Sequence, residues 1–107
     1  TFKPKKMKLL LIVAVKAFQK EIQQLLKKAN ISSYSYKEVT GYQNSSEELI
    51  EENWFATNSI ENESVLFYVF AHEKKVDPLF EWVADFNAKQ ETPSQIHLAV
   101  LCIEKSN

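Results

Sequence analysis

The sequence predicts an α+β sandwich: a four-stranded antiparallel sheet with two helices on one face, in chain order β-α-β-β-α-β. Three observations lead there. Four runs rich in Leu, Ile, Val, Tyr or Phe have the length and composition of strands. Two longer segments place apolar residues at helical spacing. The helices follow the first and third strands, which divides the chain into two β-α-β halves. The 107 residues suit one small domain over 7–107, preceded by the basic lead-in Thr1–Lys6. A hydrophobic fraction of 45% excludes a wholly disordered chain.

Met7–Val15 reads as a central strand, because Leu, Ile and Val occupy both alternating faces. Ala17–Asn30 reads as a helix whose buried stripe is Phe18, Ile22, Leu25, Leu26 and Ala29, with Asn30 as its stop. Ser32–Gln43 is a more polar strand, as an edge strand should be, and Gly41 near its end marks a bend or bulge. Asn44–Glu63 is a long acidic connection with room for a short helical turn near Ser46–Glu52, followed by Trp54 and Phe55. Ser64–Ala71 is a third strand, apolar on both faces. Asp77–Lys89 is the second helix, with Asp77 as N-cap, Pro78 at the first helical position and a stripe of Val76, Leu79, Phe80, Val83 and Phe86 or Asn87. Ile96–Ile103 is the fourth strand, interrupted only by His97.

Right-handed crossovers place the first and third strands in the middle of the sheet. Those are the two most apolar strands, so pattern and topology agree on a ferredoxin-like arrangement. Helices cover only one face of such a sheet. Strands one, three and four nevertheless carry apolar residues on both faces, and exposing a whole apolar face is costly. Self-association through that face is the expected remedy. The competing expectation is a monomer whose own 44–63 segment covers the face, with Trp54 and Phe55 as plugs.

Composition narrows the function. The net charge is −1, and all 13 basic residues are lysine. Without arginine there is no bidentate fork for phosphates or guanine edges, so no nucleic-acid partner is expected. One cysteine, Cys102, permits no internal disulfide and fits a reducing, cytoplasmic setting. The apolar run Leu9–Val15 is too short for a transmembrane segment, although a membrane protein could still be a partner.

Short motifs resemble a known family. Ile12-Val13-Ala14-Val15-Lys16-Ala17-Phe18, followed by Ile22 and Leu25-Leu26, is similar to the strand, Lys-Pro-Phe and amphipathic helix of the nitrogen-regulatory PII proteins and the wider PII-like superfamily, which includes CutA. Ala17 replaces the usual proline. Glu38-Val39-Thr40-Gly41-Tyr42 resembles the Glu-Val-x-Gly-Phe that ends the family's second strand, and Val76-Asp77 opens the second helix after an apolar strand as the family's pattern does.

The resemblance implies a homotrimer with sheets packed inward, acting in signal transduction. It implies a ligand at subunit clefts beside Gly41 and Tyr42, and a partner-binding loop over 44–63 with Trp54 and Phe55 as apolar anchors. It also implies what should differ. The family's phosphate loop is rich in glycine and lysine, whereas Lys89-Gln90-Glu91-Thr92-Pro93-Ser94-Gln95 has no glycine and carries an acid. The family's basic C-terminal extension is absent from the sequence after Asn107, and no tyrosine follows Tyr42 in the loop. The usual ATP/ADP mode and uridylylation are therefore not expected, and the cofactor is left unknown.

Other chemistry finds less support. His72, His97, Cys102 and Glu73 show no metal-ligand spacing, so no metal site is expected, with surface His72, half-buried His97 and core Cys102. No nucleophile elbow is present, and Cys102 lies in an apolar strand, so no catalytic residue is expected. The alternatives are a small enzyme of the dimeric ferredoxin-like barrel type, with a cavity lined by Tyr34, Tyr36, His72 or His97, and a metal-binding CutA-like protein.

Overall fold

A computed structural model describes residues 6–42 and 61–107, with the backbone alone at 61 and 62. In chain order the elements are β1 (Met7–Val15), α1 (Gln19–Lys28), β2 (Ser35–Tyr42), β3 (Glu61–His72), α2 (Val76–Lys89) and β4 (His97–Cys102). They form one antiparallel sheet in the order β2-β3-β1-β4, with β1 and β3 inside as expected.

The core lies between the sheet and the helices. Leu10, Ile12 and Ala14 of β1, Val65, Phe67, Val69 and Ala71 of β3, and Leu98 of β4 face it. Ile22 and Leu26 of α1 and Leu79 and Val83 of α2 close it from the other side. Burying each of these larger side chains contributes about 1.5–3 kcal/mol, which is what fixes register, since a slip by one residue would turn the stripe outward. Phe18 and Phe86 meet edge to face at 5.1 Å and tie the two helices together.

Both strand-to-helix junctions have the same construction. Val15 (φ −62°, ψ 149°) and His72 (φ −64°, ψ 142°) end their strands extended, and a single 3₁₀ turn then leads into each helix. At the second junction the His72 Nδ1 accepts the Lys74 N–H at 3.1 Å. The 3₁₀ turns Lys16–Phe18 and Glu73–Lys75 thus do the work assigned to a capping side chain. Asp77 is not the N-cap: Lys75 holds that place, with Asp77 and Pro78 inside the first turn of α2. Pro78 is tolerated there because the first four N–H groups of a helix have no partner within it.

Helix α1 stops as expected. Asn30 has φ 61°, the Asn30 N–H donates to the Lys27 carbonyl and the Ile31 N–H to the Leu26 carbonyl, both at 2.9 Å. That is a complete Schellman turn, and it drives Ile31 into the core against Leu26.

Four further expectations need correction. β3 begins at Glu61, so its pairing with β2 takes up the last residues of the expected 44–63 connection. Gly41 makes no bulge: the β2–β3 register runs unbroken from Ser35 opposite Tyr68 to Tyr42 opposite Glu61, and Gly41 has no positive φ. Phe80 is exposed, and Trp82 packs at the edge of the core beneath the Lys28 ammonium, 4.4 Å from its ring centroid. Cys102 is exposed, because the last turn of the edge strand β4 runs out beyond the core, where Val100 is 41% exposed as well.

Candidate functional site

The sheet's second face is apolar, and no helix of the described residues packs on its centre. Leu9 stands between Phe70 and Leu101, Leu11 between Tyr68 and Ala99, and Val13 between Leu66 and His97. These rows cross three strands without a charged residue. Phe70 is 61% exposed, and Tyr68 and Leu101 are exposed too. β2 brings Ser35 and Lys37 to this face. Where β2 begins, an open groove of about 640 Å³ forms between Leu9, Tyr68, Phe70 and the Ser33–Ser35 segment.

The next row, Val15–Ser64–Val39, places a polar side chain on a central strand. Ser64, opposite Val15 and Val39, is completely buried, and among the described residues its Oγ has no hydrogen-bond partner. An unmet buried hydroxyl costs about 1–3 kcal/mol.

Four residues of the sequence resemblance, Lys16, Glu38, Gly41 and Tyr42, gather at one end of the sheet. β1 reaches Val15 and β2 reaches Tyr42 at this end, where β3 begins. The Lys16 Nζ lies 3.1 Å from the Glu38 Oε1, so the two halves of the sequence resemblance are joined by an ion pair. Hydrogen bonding and charge attraction from Glu38 hold the Lys16 ammonium above its ordinary pKa, and Glu63 adds to this. Gly41 is buried within the ladder, and Tyr42, the last residue of β2, is 68% exposed. The segment 90–96 reaches the same end but enters β4, the opposite edge of the sheet. Three strand spacings separate β2 from β4, roughly 14 Å. Within one chain Tyr42 and the 90–96 segment therefore stand apart.

Trp54 and Phe55 lie outside the described residues, as does the expected helical turn near Ser46–Glu52. Tyr34 and Tyr36 pack on Phe67, at 5.6 and 5.0 Å, on the helix side of the sheet. His72 and His97 occupy register positions on the other face, so the four residues of the enzyme alternative do not line one cavity. His97 and Cys102 are at opposite ends of β4. Among the described residues no group of three or more His, Cys, Asp or Glu side chains could hold a metal ion. No helix of the described residues is long and apolar enough to cross a membrane.

Two features escaped the sequence reading. The His72 ring as a backbone acceptor has no pattern signal, since a histidine at a strand end is common. The Asn87 amide clasps Ile96, donating to its carbonyl at 2.9 Å and accepting its N–H at 2.8 Å. Its signal was visible but ambiguous: a polar residue at the edge of the helical stripe.

No family model matches the sequence, and no curated protein does. Solved structures do. The nitrogen-regulatory PII-like protein CPII of Thiomonas intermedia K12, in its apo form, superposes with a TM-score of 0.67 at 18% identity, covering 91% of this chain and 88% of CPII. CPII bound to ADP, AMP and bicarbonate gives 0.61 at 15%, covering 94% and 96%. A DUF3240 family protein of Shewanella baltica OS155 gives 0.66 at 13%, covering 95% and 94%. At these identities the likeness speaks to architecture, and on that point the superpositions and the strand order agree: the chain has the ferredoxin-like α+β fold of the PII-like proteins.

Proposed function

We propose that this chain is a PII-like regulatory protein of the cytoplasm, a single domain over 7–107 that assembles as a homotrimer through its open sheet face. It senses a small ligand at the subunit clefts beside Gly41 and Tyr42 and engages a partner protein through the 44–63 segment. The observation that carries this reading is the continuous apolar face of β1, β3 and β4 on a PII-like fold. Covering it needs a partner surface of the same kind, and a second copy supplies one. Packing copies against each other also supplies what one chain lacks, since a neighbour can bring its 90–96 segment toward Tyr42.

The ligand is a small anion or a nucleotide held differently from the usual ATP/ADP mode, because 89–95 offers no glycine to cradle phosphates. CPII, with the same architecture, binds ADP, AMP and bicarbonate, and those are the first compounds to try. The test is thermal unfolding with each of them and with divalent metals. A ligand at one hundred times its Kd stabilises the native state by about 2.7 kcal/mol, an easily read rise in Tm. Tyr42→Ala should abolish the rise while leaving the unliganded Tm in place. A rise unaffected by Tyr42→Ala would move the site elsewhere, and no rise with any compound would remove ligand sensing of this kind. For the partner segment, replacing Trp54 and Phe55 by alanine should weaken target capture and leave the assembly intact. Loss of assembly would make them core residues instead.

A further inference from the structure

A second concavity lies away from both the open face and the Tyr42 end. It is a groove of about 420 Å³ beside α1, lined by Lys20, Gln23, Gln24 and Lys27 and by Ser32 and Tyr34 of the following segment. The four helical residues stand at i, i+3, i+4 and i+7, so they share one face over two turns. Buried Ile31 adds an apolar base, fixed by the Schellman turn that ends α1. The Gln23 Nε2 donates to the Tyr34 hydroxyl at 3.4 Å and joins the two walls.

The chemistry of the lining is one-sided. It contains two ammonium groups, two amides and two hydroxyls, and no carboxylate. Among the described residues neither Lys20 nor Lys27 is ion-paired, whereas Lys16, one turn earlier, is paired to Glu38. The volume falls in the range of small-molecule sites, roughly 300–1,000 Å³. Lys20 and Lys27 are separated by about 10.5 Å along the helix axis, and their flexible four-carbon stems can close on a molecule lying between them from either end.

We propose that this groove binds a small molecule with an anionic oxygen group at each end, of the short dicarboxylate class. Lys20 and Lys27 each neutralise one end. The Gln23 and Gln24 amides and the Ser32 hydroxyl donate to the oxygens, and Ile31 meets the hydrocarbon middle. The site is independent of the subunit clefts and does not rest on the regulatory reading.

The test is a titration of the isotope-labelled full chain with glutarate, followed by amide NMR, with acetate and chloride at matched ionic strength. The expected result is saturable shifts confined to residues 20–34, with acetate binding at least tenfold more weakly. The variant carrying Lys20→Gln and Lys27→Gln, both exposed positions, should keep a dispersed spectrum and lose the saturable shifts. Lys28→Gln, whose ammonium sits over Trp82 outside the groove, should keep them. Shifts that follow ionic strength without saturating, or that saturate equally in the double variant, would overturn the proposal.

Discussion

Single side chains on the open sheet face carry most of the tension in this molecule. Ser64 is the sharpest case. Its hydroxyl is sealed in without a partner among the described residues, so Ser64→Ala removes an unmet group at almost no change in volume. The expected outcome is a gain of about 1 kcal/mol in a urea melt. A loss of that size would mean the hydroxyl is used. His97, on the same face, has its pKa pushed below 6.5 by burial, which disfavours the charged ring. The unfolded chain therefore binds a proton at a higher pH than the folded one. Stability from this group is complete above pH 6.5 and is lost as the pH falls from there toward the folded value. Tm measured from pH 7.5 down to 5 should fall less steeply in His97→Gln than in the parent chain. Equal slopes would remove His97 from the account.

At the scale of elements, the clasp of Asn87 on Ile96 holds the entry into β4. Asn87→Ala leaves the Ile96 N–H and carbonyl without their partner in a half-buried place, at a cost of about 1–3 kcal/mol. Amide exchange should rise at Ile96 and along β4 before it rises in β1, and a uniform rise would instead mark global loosening. The elements also show where pattern is readable and where it is not. Six of them could be placed from period and length, because β1 and β3 alternate without polar interruption and α1 repeats Ile22, Leu25, Leu26 and Ala29. Asn30 could be placed because few residues other than glycine accept a positive φ. The start of α2 could not, because a 3₁₀ turn entering a helix leaves no cap signature to read. Gly41 misled for a related reason: glycine permits a bulge but does not require one. Cys102 misled because alternation says which face a residue takes, not how far the core extends beneath it.

For the molecule as a whole, the sheet has two apolar faces, and the helices of the described residues cover one. The sequence anticipated this in β1, β3 and β4, and the exposed Phe70, Tyr68 and Leu101 bear it out. The site was only partly legible. Lys16 and Glu38 belong to separate motifs, and only the β1–β3–β2 register brings them to 3.1 Å. Tyr42 and the 90–96 segment stay apart on opposite edges, as the expected strand order implies. If assembly joins them, ligand binding and association are linked, because a ligand that binds only the assembled form also favours assembly.

Mass in native buffer, by sedimentation or native mass spectrometry, tests the shared surface most directly, on the parent chain and on Phe70→Glu. Three times the 12.4 kDa of one chain is expected for the parent, and a folded single chain for the variant. A parent chain that sediments alone at micromolar concentration, or a Phe70→Glu variant that still forms the trimer, would contradict the account.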